Sequence, residues 1–333
     1  MNVLVTGSSG FLGTAVVRAA LAAGHHVTAL VRPAATLSGA PWHSDQLTVV
    51  RGDLRERGAW ADQLAGIDAV VHLAAAAEGD LATQFQGTVL ATERLLAALP
   101  TVQRFVHISS FSVYDFVAPK VGATLDESSV IEAHPERRDA YTTTKLLQEQ
   151  MVRDACAASG TELVVIRPGA IYGPNKDWGH GIAMNVPGGL GLVFAPRSRM
   201  RLTYVDNCAE AIVAALTAPA AAGRTVNVVD DEDPTFLEYA KACRRAGAAV
   251  PRLVPVPWRA VTAFGGVVAL VDRWFFGGKA KLPEFGHRPR QDAHWKPLRY
   301  PNTTAKSVLG WSPRVGLLEG IRATVDAAER GAR

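Results

Sequence analysis

Cysteine is scarce in this chain. Its 333 residues include three, Cys156, Cys208 and Cys243, far apart and without the close spacing of a metal site. So odd and sparse a set leaves no basis for a disulfide framework or a cysteine-held metal, and no metal ion is expected. It fits buried thiols in a reducing compartment. Charge of one sign is also scarce, with a formal net charge of +4 over the whole length. The excess of cations lies late, in segments such as His287-Arg288-Pro289-Arg290, and no nucleic-acid motif accompanies it. A solvated basic surface is expected there. A phosphorylated ligand or an anionic membrane surface is the alternative. Long apolar runs are missing too. The stretch Ala260 to Val271 is shorter than the roughly 20 residues that span a bilayer. It is followed by Asp272-Arg273-Trp274-Phe275-Phe276 and is expected to be a core helix, with an interfacial helix as the alternative. No basic region precedes the first apolar run, so a cytoplasmic protein without a signal peptide is expected.

What is present begins at once. Val3 to Val5 reads as a buried strand, and it runs into Thr6-Gly7-Ser8-Ser9-Gly10-Phe11-Leu12-Gly13. Thr14 to Ala23 then has the spacing of a helix, with Gly24 as its stop. Strand, glycine turn and helix together present free backbone N–H groups and a positive helix end. The glycines permit a tight turn and close approach of a phosphate. A dinucleotide is the expected ligand.

Strands and helices continue to alternate, which predicts an α/β protein with a parallel sheet covered on both faces. Further strands are expected at Val27–Val31, Leu47–Val50, Ala69–His72, Arg104–Ile108, Leu163–Arg167 and Thr225–Val229. Helices are expected near Arg57–Leu64 and at Leu81–Leu99, Tyr141–Ala158 and Asn207–Ala215. Composition shifts at Pro174. Residues 1–174, with 204–230 returning, are expected to form the dinucleotide-binding domain. Residues 175–203 and 231–333 would form a smaller substrate-binding region.

Tyr141 and Lys145 are four apart on a predicted helix and so share a face. Asp139 is a plausible N-cap and Gly160 a plausible terminator. A free tyrosine has a pKa of about 10, too high for a base near neutrality. A neighbouring ammonium favours the phenolate, so this tyrosine can take a proton from an alcohol or return one to a ketone. The same spacing recurs at Tyr172 and Lys176, but Gly173-Pro174 between them breaks a helix. Ser110 lies just past the strand Arg104–Ile108, where ligands bind in open α/β sheets. It is expected to orient the reacting oxygen.

Taken in order, these fragments resemble the extended short-chain dehydrogenase/reductase superfamily, which includes the epimerase/dehydratase group. Thr6-Gly7-x-x-Gly10-x-x-Gly13 is similar to its nucleotide turn, with Ser9, Phe11 and Leu12 beside the glycines. Asp53-Leu54 is similar to its adenine-contacting pair, and His72-Leu73-Ala74-Ala75 to the segment under the cofactor. Gly87-Thr88 also fits. Ser110, Tyr141 and Lys145 match its catalytic set, and Arg167 to Pro174, with Pro168 and Ile171, is similar to the strand and loop beside the nicotinamide. The resemblance implies a Rossmann-type doubly wound sheet. It also implies a ribose contact for Lys145, substrate polarisation by Ser110 and a homodimer through a helix pair. Two departures, Asp115 after Tyr114 and Gln84 before Gly87, bear on the substrate.

Arg32 ends the second strand, where an acidic residue would read a ribose diol. Arginine there offers a charge-assisted contact to a 2′-phosphate, which predicts NADP(H), with NAD(H) as the alternative. Three functions follow. The preferred one is a ketone reductase or alcohol dehydrogenase acting on a bulky, largely apolar small molecule. The wording Thr203-Tyr204-Val205-Asp206-Asn207 is closer to the hydroxysteroid dehydrogenase branch. The others are a nucleotide-sugar epimerase or dehydratase and a non-catalytic dinucleotide sensor. Met200 stands where sugar-nucleotide members carry arginine, although Arg199 and Arg201 flank it.

Overall fold

The computed structural model describes residues 1–39, 41–176, 184–275 and 287–331. Strand β1 (Asn2–Thr6) enters the glycine turn and helix α1 (Phe11–Ala22), followed by β2 (His26–Val31), β3 (Leu47–Arg51) and β4 (Ala69–His72). An unbroken helical stretch comes next: α2 (Leu81–Gln84), a π-helical segment (Phe85–Leu90) and α3 (Ala91–Ala98). Then come β5 (Arg104–Ile108), α4 (Ala140–Ser159), β6 (Glu162–Pro168) and β7 (Ala170–Tyr172). The later part holds β8 (Met184–Val186), β9 (Leu190–Phe194), β10 (Leu202–Tyr204), α5 (Val205–Thr217), β11 (Thr225–Val228) and α6 (Phe236–Arg245). It ends with β12 (Arg252–Val256), α7 (Trp258–Phe275), α8 (Arg288–Trp295), α9 (Thr303–Leu309) and α10 (Leu317–Gly331).

Seven strands form one sheet in the order β11-β6-β5-β4-β1-β2-β3, and every pairing in it is parallel. The two faces bury alternate residues of each strand. Val3 and Val5 of β1 join the core under α1 and α5, whereas Leu4 joins Val70, Phe105 and Leu95 on the other side. The strand order reverses between β1 and β4. Their carboxyl ends therefore open a crevice, the place where open α/β sheets bind ligands. This is a Rossmann-type doubly wound fold. Smaller sheets, β10-β7 and β12-β9-β8, carry the later region.

Two expectations fail. The helix near Arg57–Leu64 is only a short 3-10 turn, Ala61–Gln63. Gly58 weakens a helix there, and Trp60 is buried against Gly52, where an added Cβ would lie 2.6 Å from the indole side chain. The stretch Ala260 to Val271 is helical but not core. Its one buried large apolar residue is Val261, while Phe264, Val267, Leu270 and Val271 are exposed. The sequence is apolar around the whole helix, and the protein body covers one side of it. Phe276 lies outside the described residues.

Candidate active site

The glycine turn sits at the mouth of the crevice. Gly7 has φ +66, and a Cβ there would lie 3.0 Å from the Ala74 backbone nitrogen. A Cβ on Gly13 would lie 2.1 Å from the Gly7 carbonyl oxygen, so α1 packs on the turn only because the side chain is absent. Gly10 caps α1 without a side-chain hydrogen bond, which leaves the first N–H groups, beside Phe11 and Leu12, free for an anion. Ser8, next to Ser9, donates from Oγ to the Leu30 carbonyl at 2.8 Å and ties the turn to β2. Ala74, between Leu73 and Ala75, donates its N–H to Thr6 Oγ1 at 3.3 Å and ties the end of β4 to the end of β1.

Arg32 is exposed just past β2. Leu54 is buried in the core, while the Asp53 carboxylate is gripped by Arg55, with Nη2 2.6 Å from Oδ2. That hydrogen bond holds Asp53 below the usual carboxylate range, and the charge of Arg32 adds to the effect. Arg55 is a second guanidinium at this end that sequence reasoning passed over.

The three residues expected to be catalytic gather at the carboxyl end of β5. Asp139 caps α4 by accepting from the Thr142 N–H at 2.6 Å, and Gly160, with φ +74, ends the helix. Tyr141 therefore sits in the first helical turn and Lys145 one turn later. Ser110 lies in the extended backbone after β5, its Oγ accepts from the Ser112 N–H at 3.1 Å, and it stands close enough to Tyr141 to act on the phenol. Lys145 is almost wholly buried, and its Nζ donates to the Ile108 carbonyl and to Gln148 Oε1, both at 2.6 Å. Burial pushes its pKa down to about 7, against the opposing pull of Glu149. The expected lowering of Tyr141 by Lys145 is not found. Burial raises the phenol, Ser110 opposes that, and the ammonium is directed at Ile108 and Gln148 instead.

Gln148 was missed, although it lies three residues past Lys145 and seven past Tyr141, on the same helix face. It is fully buried, and its Nε2 donates to the Ala74 carbonyl at 3.0 Å and to Thr92 Oγ1 at 2.8 Å. It thus bridges the ammonium and the segment that follows β4. His72 stands in the same network, Nδ1 at 2.7 Å from Thr6 Oγ1 and Nε2 at 2.8 Å from Thr92 Oγ1. Burial and the nearby Lys145 push its pKa to about 3, so the ring is neutral. Behind it, Glu149 accepts from Arg167 at 2.6 Å, Arg153 at 2.8 Å and Ser109 at 2.5 Å. Burial raises that carboxyl, but these donors outweigh it and hold it at about 2.

The second Tyr-Lys spacing does not assemble. Tyr172 is buried, edge-on to Tyr204 and Tyr239, and burial drives its phenol far up. Lys176 instead lies over the Phe11 ring, 5.2 Å from its centroid. Pro168 ends β6, and Ile171 lies in β7. Arg201 stacks over Phe116 at 4.8 Å and Tyr300 at 5.7 Å, and Arg199 bonds Asp233 Oδ1 at 2.7 Å. Asp115 accepts from the Val117 and Ala118 N–H groups and shapes its own loop, and Gln84 donates to the Gly79 carbonyl at 2.9 Å. Among the described residues no His, Cys, Asp and Glu cluster could hold a metal ion.

Comparison with known proteins gives the family. The model of the NAD dependent epimerase/dehydratase family matches residues 3–228. A 2-alkyl-3-oxoalkanoate reductase from Stenotrophomonas maltophilia is 30% identical over 349 residues, covering 97% of this chain and 98% of that protein. A UDP-glucose 4-epimerase from Mycolicibacterium smegmatis is 30% identical over 353 residues, covering 98% of each. A solved UDP-glucuronic acid 4-epimerase from Bacillus cereus, in complex with NAD, shares the fold with a TM-score of 0.73 and 21% identity, covering 100% of both chains. The chain belongs to the NAD dependent epimerase/dehydratase family and is an enzyme of the extended short-chain dehydrogenase/reductase type.

Proposed function

We propose that the enzyme is an NADP(H)-dependent oxidoreductase that interconverts a secondary alcohol and a ketone on a bulky, largely apolar molecule. One observation carries this reading. Ser110, just past β5, and Tyr141, in the first turn of α4, come together at the carboxyl end of the sheet, with the buried Lys145 one helical turn behind. The glycine turn fits a dinucleotide, because the backbone approach at Gly7 and the uncapped start of α1 leave N–H groups for a pyrophosphate. Gly7, Ser9, Gly10, Phe11, Leu12 and Gly13 would hold that part. Arg32 would meet the 2′-phosphate, Asp53 and Leu54 the adenine side, and Leu73 to Ala75, Pro168 and Ile171 the nicotinamide side. When bound, the nicotinamide supplies or accepts the hydride.

The chain's own groups handle the proton. Tyr141 Oη donates a proton to the substrate oxygen in reduction and takes it back in oxidation. Ser110 Oγ hydrogen-bonds the same oxygen and fixes its position. Lys145 Nζ, held by Ile108 and Gln148, keeps one further N–H that would serve as a donor for the ribose. Burial of the set strengthens each of these interactions.

The apolar substrate is supported by the two guanidinium groups that flank Met200. Arg199 is paired with Asp233, and Arg201 is stacked on Phe116 and Tyr300, so both already have partners. The full-length similarity to a 2-alkyl-3-oxoalkanoate reductase points the same way. The equal identity to a UDP-glucose 4-epimerase supports a second reading, in which hydride returns to the substrate. Supplying NADPH deuterated at C4 with a panel of bulky ketones separates them. Deuterium should appear in the alcohol with stoichiometric NADP formation. Turnover of a UDP-sugar with no net cofactor oxidation would contradict the proposal.

A further inference from the structure

We propose that α7 is an interfacial helix that docks this protein on an anionic lipid surface. The proposal goes beyond the reaction and does not depend on it. Phe264, Val267, Leu270, Val271, Trp274 and Phe275 recur at helical spacing and form one stripe, with Trp274 77% exposed and Phe275 76% exposed. Val261, at the edge of the stripe, turns inward and joins a cluster with Val193, Ala195, Phe236 and Trp295. The helix is therefore apolar on its outward side as well as on its packed side. An ordinary surface helix turns charge outward. An exposed patch of this kind marks an interaction surface. Among the described residues no helix is long and apolar enough to cross a membrane, so α7 would lie on a bilayer.

Charge selects the occupant. Arg259 and Arg273 are exposed near the two ends of the stripe, where long cationic side chains reach phosphate groups while their stems stay in apolar surroundings. Helix α7 carries two cations, Arg259 and Arg273, against one acid, Asp272. Anionic headgroups complement the two arginines, and an aromatic pair at the end of the stripe suits the boundary between headgroup and acyl chain. Helix α7 is linked to the start of the segment that carries Tyr141 through α8. Helix α8 packs beside α7, and its Arg290 Nε donates to the Arg138 carbonyl, three residues before Tyr141, at 2.5 Å.

The test is co-sedimentation of the full chain with vesicles of phosphatidylglycerol mixed with phosphatidylcholine, or of phosphatidylcholine alone. The wild type should bind the anionic vesicles, bind the neutral ones far less, and release as salt is added. Trp274→Ser combined with Phe275→Ser should weaken binding roughly tenfold or more. The thermal transition should stay unchanged, because both side chains are exposed in the folded chain. Leu270→Asp, which keeps both aromatic residues, should give the same loss through repulsion. Arg259→Gln with Arg273→Gln should erase the preference for anionic lipid. Absence of binding to anionic vesicles, or full binding by the aromatic and Leu270 variants, overturns the proposal. A dimer in light scattering that the aromatic variant splits, without lipid binding, assigns the face to a second copy instead.

Discussion

Two helices of this protein invert the ordinary arrangement of polar and apolar groups in opposite senses. On α4, Lys145, Gln148 and Glu149 are buried. On α7, Phe264, Trp274 and Phe275 are exposed. Each inversion costs stability unless something compensates it. For α4 the compensation is inside the chain. Each of the three polar side chains has a hydrogen-bond partner, and Gln148 alone joins Lys145 to Ala74 and Thr92. For α7 the side chains from Val267 to Phe275 on the stripe stay largely exposed, so the compensation is sought outside the molecule. The contrast separates a site built for chemistry from a surface built for contact.

The sharpest way to break the first half of the contrast is Glu149→Ala. It leaves Arg167 buried without its carboxylate, and loss of one partner of a buried pair costs about 3–5 kcal/mol. The denaturant midpoint reads it. The sign with pH follows from the depressed carboxyl. Its stabilising contribution is present above its ordinary pKa of 4.5 and is lost as the pH falls through about 2. Wild-type stability should decline across that window, and the variant should be flatter there. A smaller effect is expected from Gln148→Leu. Removing one acceptor from a buried ammonium is worth about tenfold to a hundredfold in turnover. It should also move the alkaline limb of the activity profile to lower pH, because Lys145, already near 7, would hold its proton less well. A merely structural glutamine would lower activity without moving that limb. The mildest change is Arg32→Ala, which should raise the KM for NADPH by about tenfold while altering that for NADH little. Equal effects on both would remove the role given to Arg32.

The sequence made the sheet legible because β1, β2, β4 and β5 are short apolar runs followed by turn residues, and α4 carries both a cap and a stop. The placement of Ser110, Tyr141 and Lys145 was legible because Tyr141 and Lys145 keep helical spacing and Ser110 follows a strand end. Gln148 was in the same helical register but has no distinctive chemistry of its own until its neighbours from β4 and α3 are placed. Arg55 escaped notice because its grip on Asp53 is a local turn rather than a periodic pattern. The depressed phenol was expected from proximity along the helix, yet direction decided it. Lys145 points at the end of β5 and at Gln148, and burial outweighs the rest. Composition predicts α7 as core because it reports that a segment is apolar, not which surfaces are available to cover it.

The central claim is that Tyr141 moves the proton. Tyr141→Phe keeps the ring and removes only the hydroxyl, so comparing its turnover with its NADPH affinity tests that claim most directly. The account predicts a fall in turnover of about a thousandfold or more, with the dissociation constant for NADPH within about twofold of wild type. Turnover near the wild-type level, with NADPH bound normally, would contradict it.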